Sequence, residues 1–143
     1  EFIDKYFVSF PRIKEYMSKT IEDAKINGYV KTIMNRKRVI EEINNSNYMI
    51  RSMGERMALN TPIQGSSADI LKMAMIEIDK KFIELNLNSK MILQVHDELV
   101  FDVANNEVDI VKRVVKDIME NIIKLDVPLL VDMNTGSNLY EAK

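Results

Sequence analysis

The stretch from Met91 to Val103 constrains this chain most. Two runs rich in β-formers, Met91-Ile92-Leu93-Gln94-Val95 and Leu99-Val100-Phe101-Asp102-Val103, meet at His96-Asp97-Glu98. Branched and aromatic residues at this density suit strands, and so short a polar break predicts a tight reversal between them. A hairpin tip ordinarily takes glycine or asparagine, because both tolerate positive φ. An imidazole and two carboxylates are poor turn chemistry by comparison. Adjacent acids on a rigid hairpin suit Mg²⁺, a hard cation held by one or two carboxylates together with substrate phosphates and water. An exposed turn that is merely polar fits the same residues equally well.

The rest of the chain supplies helices for such a hairpin to pack on. A helical region is predicted over 2–27, broken near Ser9-Phe10-Pro11, with Ile13, Met17, Ile21 and Ala24 at helical spacing and Gly28 placed as a C-terminal cap. Tyr29 to Met34 reads as a short strand, Asn35-Arg36-Lys37-Arg38 as a polar tip, and Glu41 to Asn47 as a loop. A helix is expected over 48–59, interrupted at Asn60-Thr61-Pro62, since proline lacks an amide hydrogen and restricts the residue before it. A long helix then covers 66–85, striped by Leu71, Ala74, Met75, Ile78 and Phe82. Another covers 107–123, and Leu129 to Met133 reads as a last strand. Helices and strands mix without a βαβ rhythm, which favours α+β with a small antiparallel sheet, its central hairpin packed against several helices.

Composition removes several kinds of function. The 143 residues are 46% hydrophobic, enough for a core without metal or disulfide staples, and they include no cysteine and a single histidine. Thiolate zinc sites, cysteine nucleophiles and multi-histidine centres are therefore excluded. A Ser-His-Asp triad drawn from Ser66 or Ser67 with His96 and Asp97 has no G-x-S-x-G elbow to support it. No apolar run approaches the roughly 18 residues a membrane helix needs. The net charge is −2, yet 31–56 carries six basic residues (Lys31, Arg36, Lys37, Arg38, Arg51, Arg56) against three acids. A solvated loop and helix face is the simpler account of that excess, and a phosphate-contact surface is the alternative.

The second candidate constellation is Glu55-Arg56-Met57-Ala58-Leu59-Asn60-Thr61-Pro62-Ile63-Gln64-Gly65-Ser66-Ser67-Ala68-Asp69. Thr61 and Gln64 have capping-box spacing with Pro62 at a first helical position, so Gln64 suits a helix cap. Arg56 and Asn60, four apart, share a helix face, and Gln64 just beyond the break can point at the same ligand.

Taken together, Q-V-H-D-E-L-V-F-D-V and E-R-M-A-L-N-T-P-I-Q-G-S-S-A-D-I-L-K-M-A-M-I resemble the C-terminal motifs of family A DNA polymerases. Phe2-Ile3-x-x-Tyr6-Phe7-x-x-Phe10-Pro11, Gly28-Tyr29-Val30-x-Thr32, Arg36-Lys37-Arg38, Val127-Pro128-Leu129 and Tyr140-Glu141-Ala142-Lys143 are similar in order and spacing. The likeness therefore covers essentially the whole chain. It implies a partial palm of a DNA-directed DNA polymerase of bacterial DNA polymerase I type, acting on primer–template DNA and deoxynucleoside triphosphates in the cytoplasm at the nucleoid. By the same resemblance Asp97 is one of two aspartates holding a Mg²⁺ pair, Glu98 a secondary catalytic acid, and His96 a neighbour of the primer terminus. Arg56, Asn60 and Gln64 match positions lining the DNA minor groove, where purine N3 and pyrimidine O2 accept hydrogen bonds at every correct pair. Arg36, Lys37, Arg38 and Arg51 would hold the DNA backbone.

Two departures stand out. Asn35 stands before the basic tip, where the family often has glycine or another residue, and Ile40-Glu41-Glu42-Ile43 replaces a proline-aspartate pair common after it. The second metal aspartate and the fingers helix that binds the nucleotide are expected upstream of Glu1, in the rest of the polymerase chain. The chain opens in helical register without methionine, as a piece of a longer protein would. Alone it is expected to be inactive. A non-catalytic DNA- or protein-interaction module retaining the fold is the alternative.

Overall fold

The computed structural model describes residues 2–142, and the chain divides into two compact units, Glu1–Asp69 and Ile70–Lys143. In the first unit, helix α1 (Phe2–Ser9) gives way to α2 (Pro11–Asn27) at the expected proline, which stands at the first turn of α2 where its missing N–H costs nothing. Gly28 ends α2 in the left-handed region (φ 75°), its N–H donating to the Ala24 carbonyl at 2.8 Å. Strands β1 (Tyr29–Lys31) and β2 (Lys37–Val39) then pair antiparallel. A 3₁₀ turn, Glu41–Asn44, leads into helix α3 (Tyr48–Glu84). Ala24, Val30, Ile40, Ile43 and Ala58 form the buried core, with Met57 against it.

The first strand stops at Lys31, three residues short of its expected end, and Lys37 and Arg38 belong to β2 rather than to the tip. Local turn chemistry outweighs the β-propensity of Ile33 and Met34. Asn35 donates its N–H to the Thr32 carbonyl at 2.9 Å and adopts φ 61°, a region asparagine tolerates. The buried Thr32 hydroxyl accepts from the Arg36 N–H at 3.2 Å.

A larger difference lies in α3, which runs unbroken through Asn60-Thr61-Pro62. Pro62 cannot donate to the carbonyl four residues earlier, a local cost that favours a break. Contacts from the β1–β2 hairpin hold both sides of the position. Arg38 Nη1 donates to Thr61 Oγ1 at 3.2 Å, so this threonine is no N-cap. The Ser66 hydroxyl donates back to the Pro62 carbonyl and accepts from the Ile33 N–H at 2.8 Å. Gly65 lets the hairpin come close: a Cβ there would lie 2.6 Å from Thr32 Cγ2.

In the second unit the end of α3, strands β3 (Lys90–Val95) and β4 (Glu98–Asp102) and helix α4 (Val108–Asn121) surround Ile78, Phe82, Val111 and Val115. Leu99, Phe101 and Val103 alternate inward along and just beyond β4, and Phe101 meets Phe82 at 5.8 Å between ring centroids. Val111, Val114, Val115 and Ile118 form the expected stripe of α4. Each well-buried side chain of this kind contributes about 1.5–3 kcal/mol.

The architecture is α+β, and among the described residues the antiparallel pairing divides into two two-stranded sheets, β1–β2 and β3–β4. The expected strand at Leu129–Met133 does not form. A strand needs a partner edge, and here the Val131 N–H bonds the Glu120 carboxylate at 3.0 Å instead.

Candidate functional site

The β3–β4 hairpin closes with Val95 opposite Glu98, so His96 and Asp97 are the two residues of a tight turn. His96 has φ 53° and Asp97 is not among the residues with positive φ. A positive φ at the first position of a two-residue hairpin loop is a conformation that favours glycine. A histidine held there stores about 1–2 kcal/mol of backbone strain. Gln94 supports the turn from below, its Nε2 donating to the His96 carbonyl at 2.6 Å. His96, Asp97 and Glu98 are all exposed, and neither carboxylate has a partner among the described residues.

Among the described residues, no three His, Cys, Asp or Glu side chains converge as a metal cage. Asp97 in the turn and Glu98 at the start of β4 are instead two adjacent carboxylates open to solvent. That donor set fits Mg²⁺, which keeps water and phosphate in most of its positions, better than an ion enclosed by protein.

In the first unit the unbroken α3 gives the second constellation a simpler geometry than an interrupted helix would. Arg56, Asn60 and Gln64 stand at i, i+4 and i+8 on one helix, all exposed and with no side-chain partner among the described residues. At 3.6 residues per turn they fall within an arc of about 80° and span about 12 Å along the axis. This is a row of donors, about as long as three to four stacked base pairs at ~3.4 Å each. Gln64, being mid-helix, is not a cap.

The basic residues divide into two kinds. Arg36 Nε pairs with Asp69 Oδ1 at 2.9 Å and its Nη2 donates to the Gly65 carbonyl at 3.2 Å. Arg38 holds Thr61, and its Nη2 approaches Met57 Sδ at 3.5 Å. Arg51 donates to the Asn45 carbonyl at 3.0 Å and lies over the Tyr48 ring. These three arginines brace the first unit, Arg36 and Arg38 between hairpin and helix. Lys31 and Lys37 face each other across β1–β2, both ammonium groups near the Tyr29 ring, at 5.8 and 4.6 Å.

Sequence reasoning missed Ser66 and Asp69 as partners of the hairpin, and it missed Glu107. The Glu107 carboxylate is buried beneath the base of β3–β4. It accepts from the Asn88 N–H at 3.0 Å, Asn88 Nδ2 at 3.3 Å, the Ser89 N–H at 2.9 Å and Ser89 Oγ at 2.6 Å. These donors, the Asn88 amide foremost and the Ser89 hydroxyl next, pull its pKa from 4.5 down to about 2. Its only sequence signal was an acid at a helix start beside an Asn-Ser turn 18 residues away.

The family model for DNA polymerase family A matches residues 1–141. This chain belongs to DNA polymerase family A. DNA polymerase I of Caldicellulosiruptor bescii is 52% identical over 143 residues, all of this chain and 17% of that protein. DNA polymerase I of Bacillus subtilis is 48% identical over 142 residues, 99% of this chain and 16% of its own length. A solved structure of the polymerase domain of Pol1 from M. smegmatis, in complex with DNA primer-template and dNTP, superposes with a TM-score of 0.95 at 39% identity. That match covers 98% of this chain and 25% of the other. The chain thus spans about a sixth of the length of these family A relatives. No helix among the described residues is long and apolar enough to cross a membrane.

Proposed function

We propose that this segment is the C-terminal palm portion of a DNA-directed DNA polymerase. It serves template-directed addition of deoxynucleotides to a primer 3′ end in replication and repair, on nucleoid DNA in the cytoplasm. The observation that carries the reading is the β3–β4 turn, where a strained His96 and an Asp97 without a partner among the described residues occupy positions that glycine and asparagine would fill more cheaply. Strain retained at an exposed tip, in a chain of this family, supports a working role for that tip.

Asp97 is the residue that would hold Mg²⁺, with Glu98 beside it and a second aspartate supplied by the rest of the polymerase chain. When bound, a pair of such ions supplies positive charge to the attacking and leaving oxygens of an in-line displacement. The protein's own part is positioning. The hairpin fixes Asp97 on its two-residue loop and Glu98 at the first position of β4, and His96 offers a ring to the primer end. Arg56, Asn60 and Gln64 donate hydrogen bonds to minor-groove acceptors, testing base-pair shape without reading sequence. Lys37, with Arg36, Arg38 and Arg51 behind it, adds positive charge for the backbone.

The test is Asp97→Ala in the full-length polymerase, assayed by primer extension with Mg²⁺ and by primer–template binding. The reading expects extension to fall by at least about 10³-fold, the scale of one lost group in a charge-stabilising site, with DNA affinity changed less than about threefold. Extension within tenfold of the parent would overturn it.

A further inference from the structure

We infer that Glu107 is a positioning residue: its carboxylate sets the register of β3 against β4 and thereby determines which residues occupy the hairpin tip. The inference rests on the proposed role of that tip. Its first support is how little else fixes β3. Along β4, Leu99 and Phe101 alternate into the core, so burial pins that strand. From β3 only Met91 joins the same cluster. Directly after it the ladder is irregular: Met91 pairs with Phe101 and Leu93 with Val100, leaving Ile92 as an extra residue. The remainder of β3 is exposed, with Ile92 at 60%, Leu93 at 45% and Val95 at 40%. A strand so weakly buried can slip, and a slip of one residue turns every side chain to the opposite face. The turn gives only partial resistance to slipping: Gln94 Nε2 holds the His96 carbonyl at 2.6 Å, but a histidine at positive φ disfavours the observed closure.

What remains is the clamp at the open end. Glu107 accepts both backbone N–H groups of Asn88 and Ser89, the residues leading into β3. It also accepts from Ser89 Oγ, and that same oxygen takes the Ala104 N–H at 3.1 Å, two residues beyond β4. One carboxylate therefore ties the entry of β3 to the exit of β4, directly on one side and through a hydroxyl on the other. With both ends of the hairpin fixed and Ile92 absorbing the odd residue, His96 and Asp97 fall at the turn. Loosened by one residue, the ladder would carry Asp97 out of the turn and onto a strand face.

The experiment uses the full-length polymerase with Glu107→Gln, which keeps the volume but cannot accept from all four donors, and Ser89→Ala as the second variant. Glu120→Gln is the control, since Glu120 likewise holds a backbone N–H of this unit, that of Val131. Amide exchange and single-nucleotide addition are measured on all three. The inference expects both test variants to exchange at least about tenfold faster at Val95–Leu99. It expects kcat to fall about tenfold or more, as displacement of a reacting group by about 1 Å can cost. KM for primer–template should stay within twofold, and Glu120→Gln should change neither quantity at a comparable drop in Tm. Test variants that lose only Tm, with kcat and hairpin exchange matching the control, would overturn it. Faster hairpin exchange with unchanged kcat would overturn the link from register to chemistry. An active Asp97→Ala enzyme would instead remove the function assigned to the tip, so the two failures are distinguishable.

Discussion

Replacing Gly65 with alanine would put a methyl group where the β1–β2 hairpin rests on α3. The new Cβ would sit 2.6 Å from Thr32 Cγ2, 3.5 Å from Arg36 Nη2 and 3.8 Å from Thr61 Cγ2. Ordinary contact begins near 3.4 Å, so the hairpin must retreat by about 0.8 Å or Thr32 must rotate. Rotation breaks the Thr32 Oγ1 bond to the Arg36 N–H. Retreat stretches the bonds from Ile33 N–H to Ser66 Oγ and from Arg36 Nη2 to the Gly65 carbonyl. Overpacking costs about 1–3 kcal/mol, and each lost hydrogen bond about 0.5–1.5 kcal/mol. Alanine returns about 1 kcal/mol of helix propensity. The net is a destabilisation of about 2 kcal/mol confined to the first unit. Hydrogen exchange on the intact chain reads this directly: amides of Val30, Thr32 and Ile40 should exchange about 30-fold faster, while Leu99 and Phe101 keep their rates. Unchanged or slower exchange in the first unit would refute the close approach of hairpin to helix.

Three further outcomes are expected. His96→Gly should raise the stability of the second unit by about 1 kcal/mol by relieving positive φ, while slowing nucleotide addition; a variant both stabler and equally fast would show that the strain serves nothing. The Glu107 pKa is lowered on folding, so its stabilisation is complete above about pH 4.5 and is lost as pH falls toward 2. Parent minus Glu107→Gln unfolding curves should therefore converge across that window, and a constant difference would contradict the four-donor cradle. Arg56→Ala, Asn60→Ala and Gln64→Ala should each reduce extension from a matched primer end, the neutral pair by about 2- to 12-fold for one lost hydrogen bond. Equal losses on matched and mismatched ends would count against a role in checking pair shape.

The sequence made the β3–β4 hairpin and its tip legible because two β-forming runs flank a short polar break. The stripe on α4 and the Gly28 cap were legible for similar reasons: each depends on spacing within one segment. Pro62 misled because its cost is local, whereas the contacts that keep α3 whole come from Arg38 and Ile33, far back in the chain. The same distance hid Asp69 as the partner of Arg36 and Glu107 as the partner of Asn88 and Ser89. Val131 shows the converse case, where strand-like residues had no neighbouring edge and a carboxylate took the amide. Assigning Asp97 and the Arg56-Asn60-Gln64 row to DNA synthesis rested on family resemblance, since residue types alone allowed a plain turn and a helix cap.

The proposed role of Asp97, holding a divalent ion shared with the end of a growing strand, underlies every other assignment at the hairpin tip. Paramagnetic Mn²⁺ substituted for Mg²⁺ in the full-length polymerase with primer–template reports on that role through broadening of amide signals near the ion. Broadening should centre on His96, Asp97 and Glu98, and Asp97→Ala should abolish it. Broadening that leaves those three sharp, or that survives the substitution, would refute an ion at Asp97.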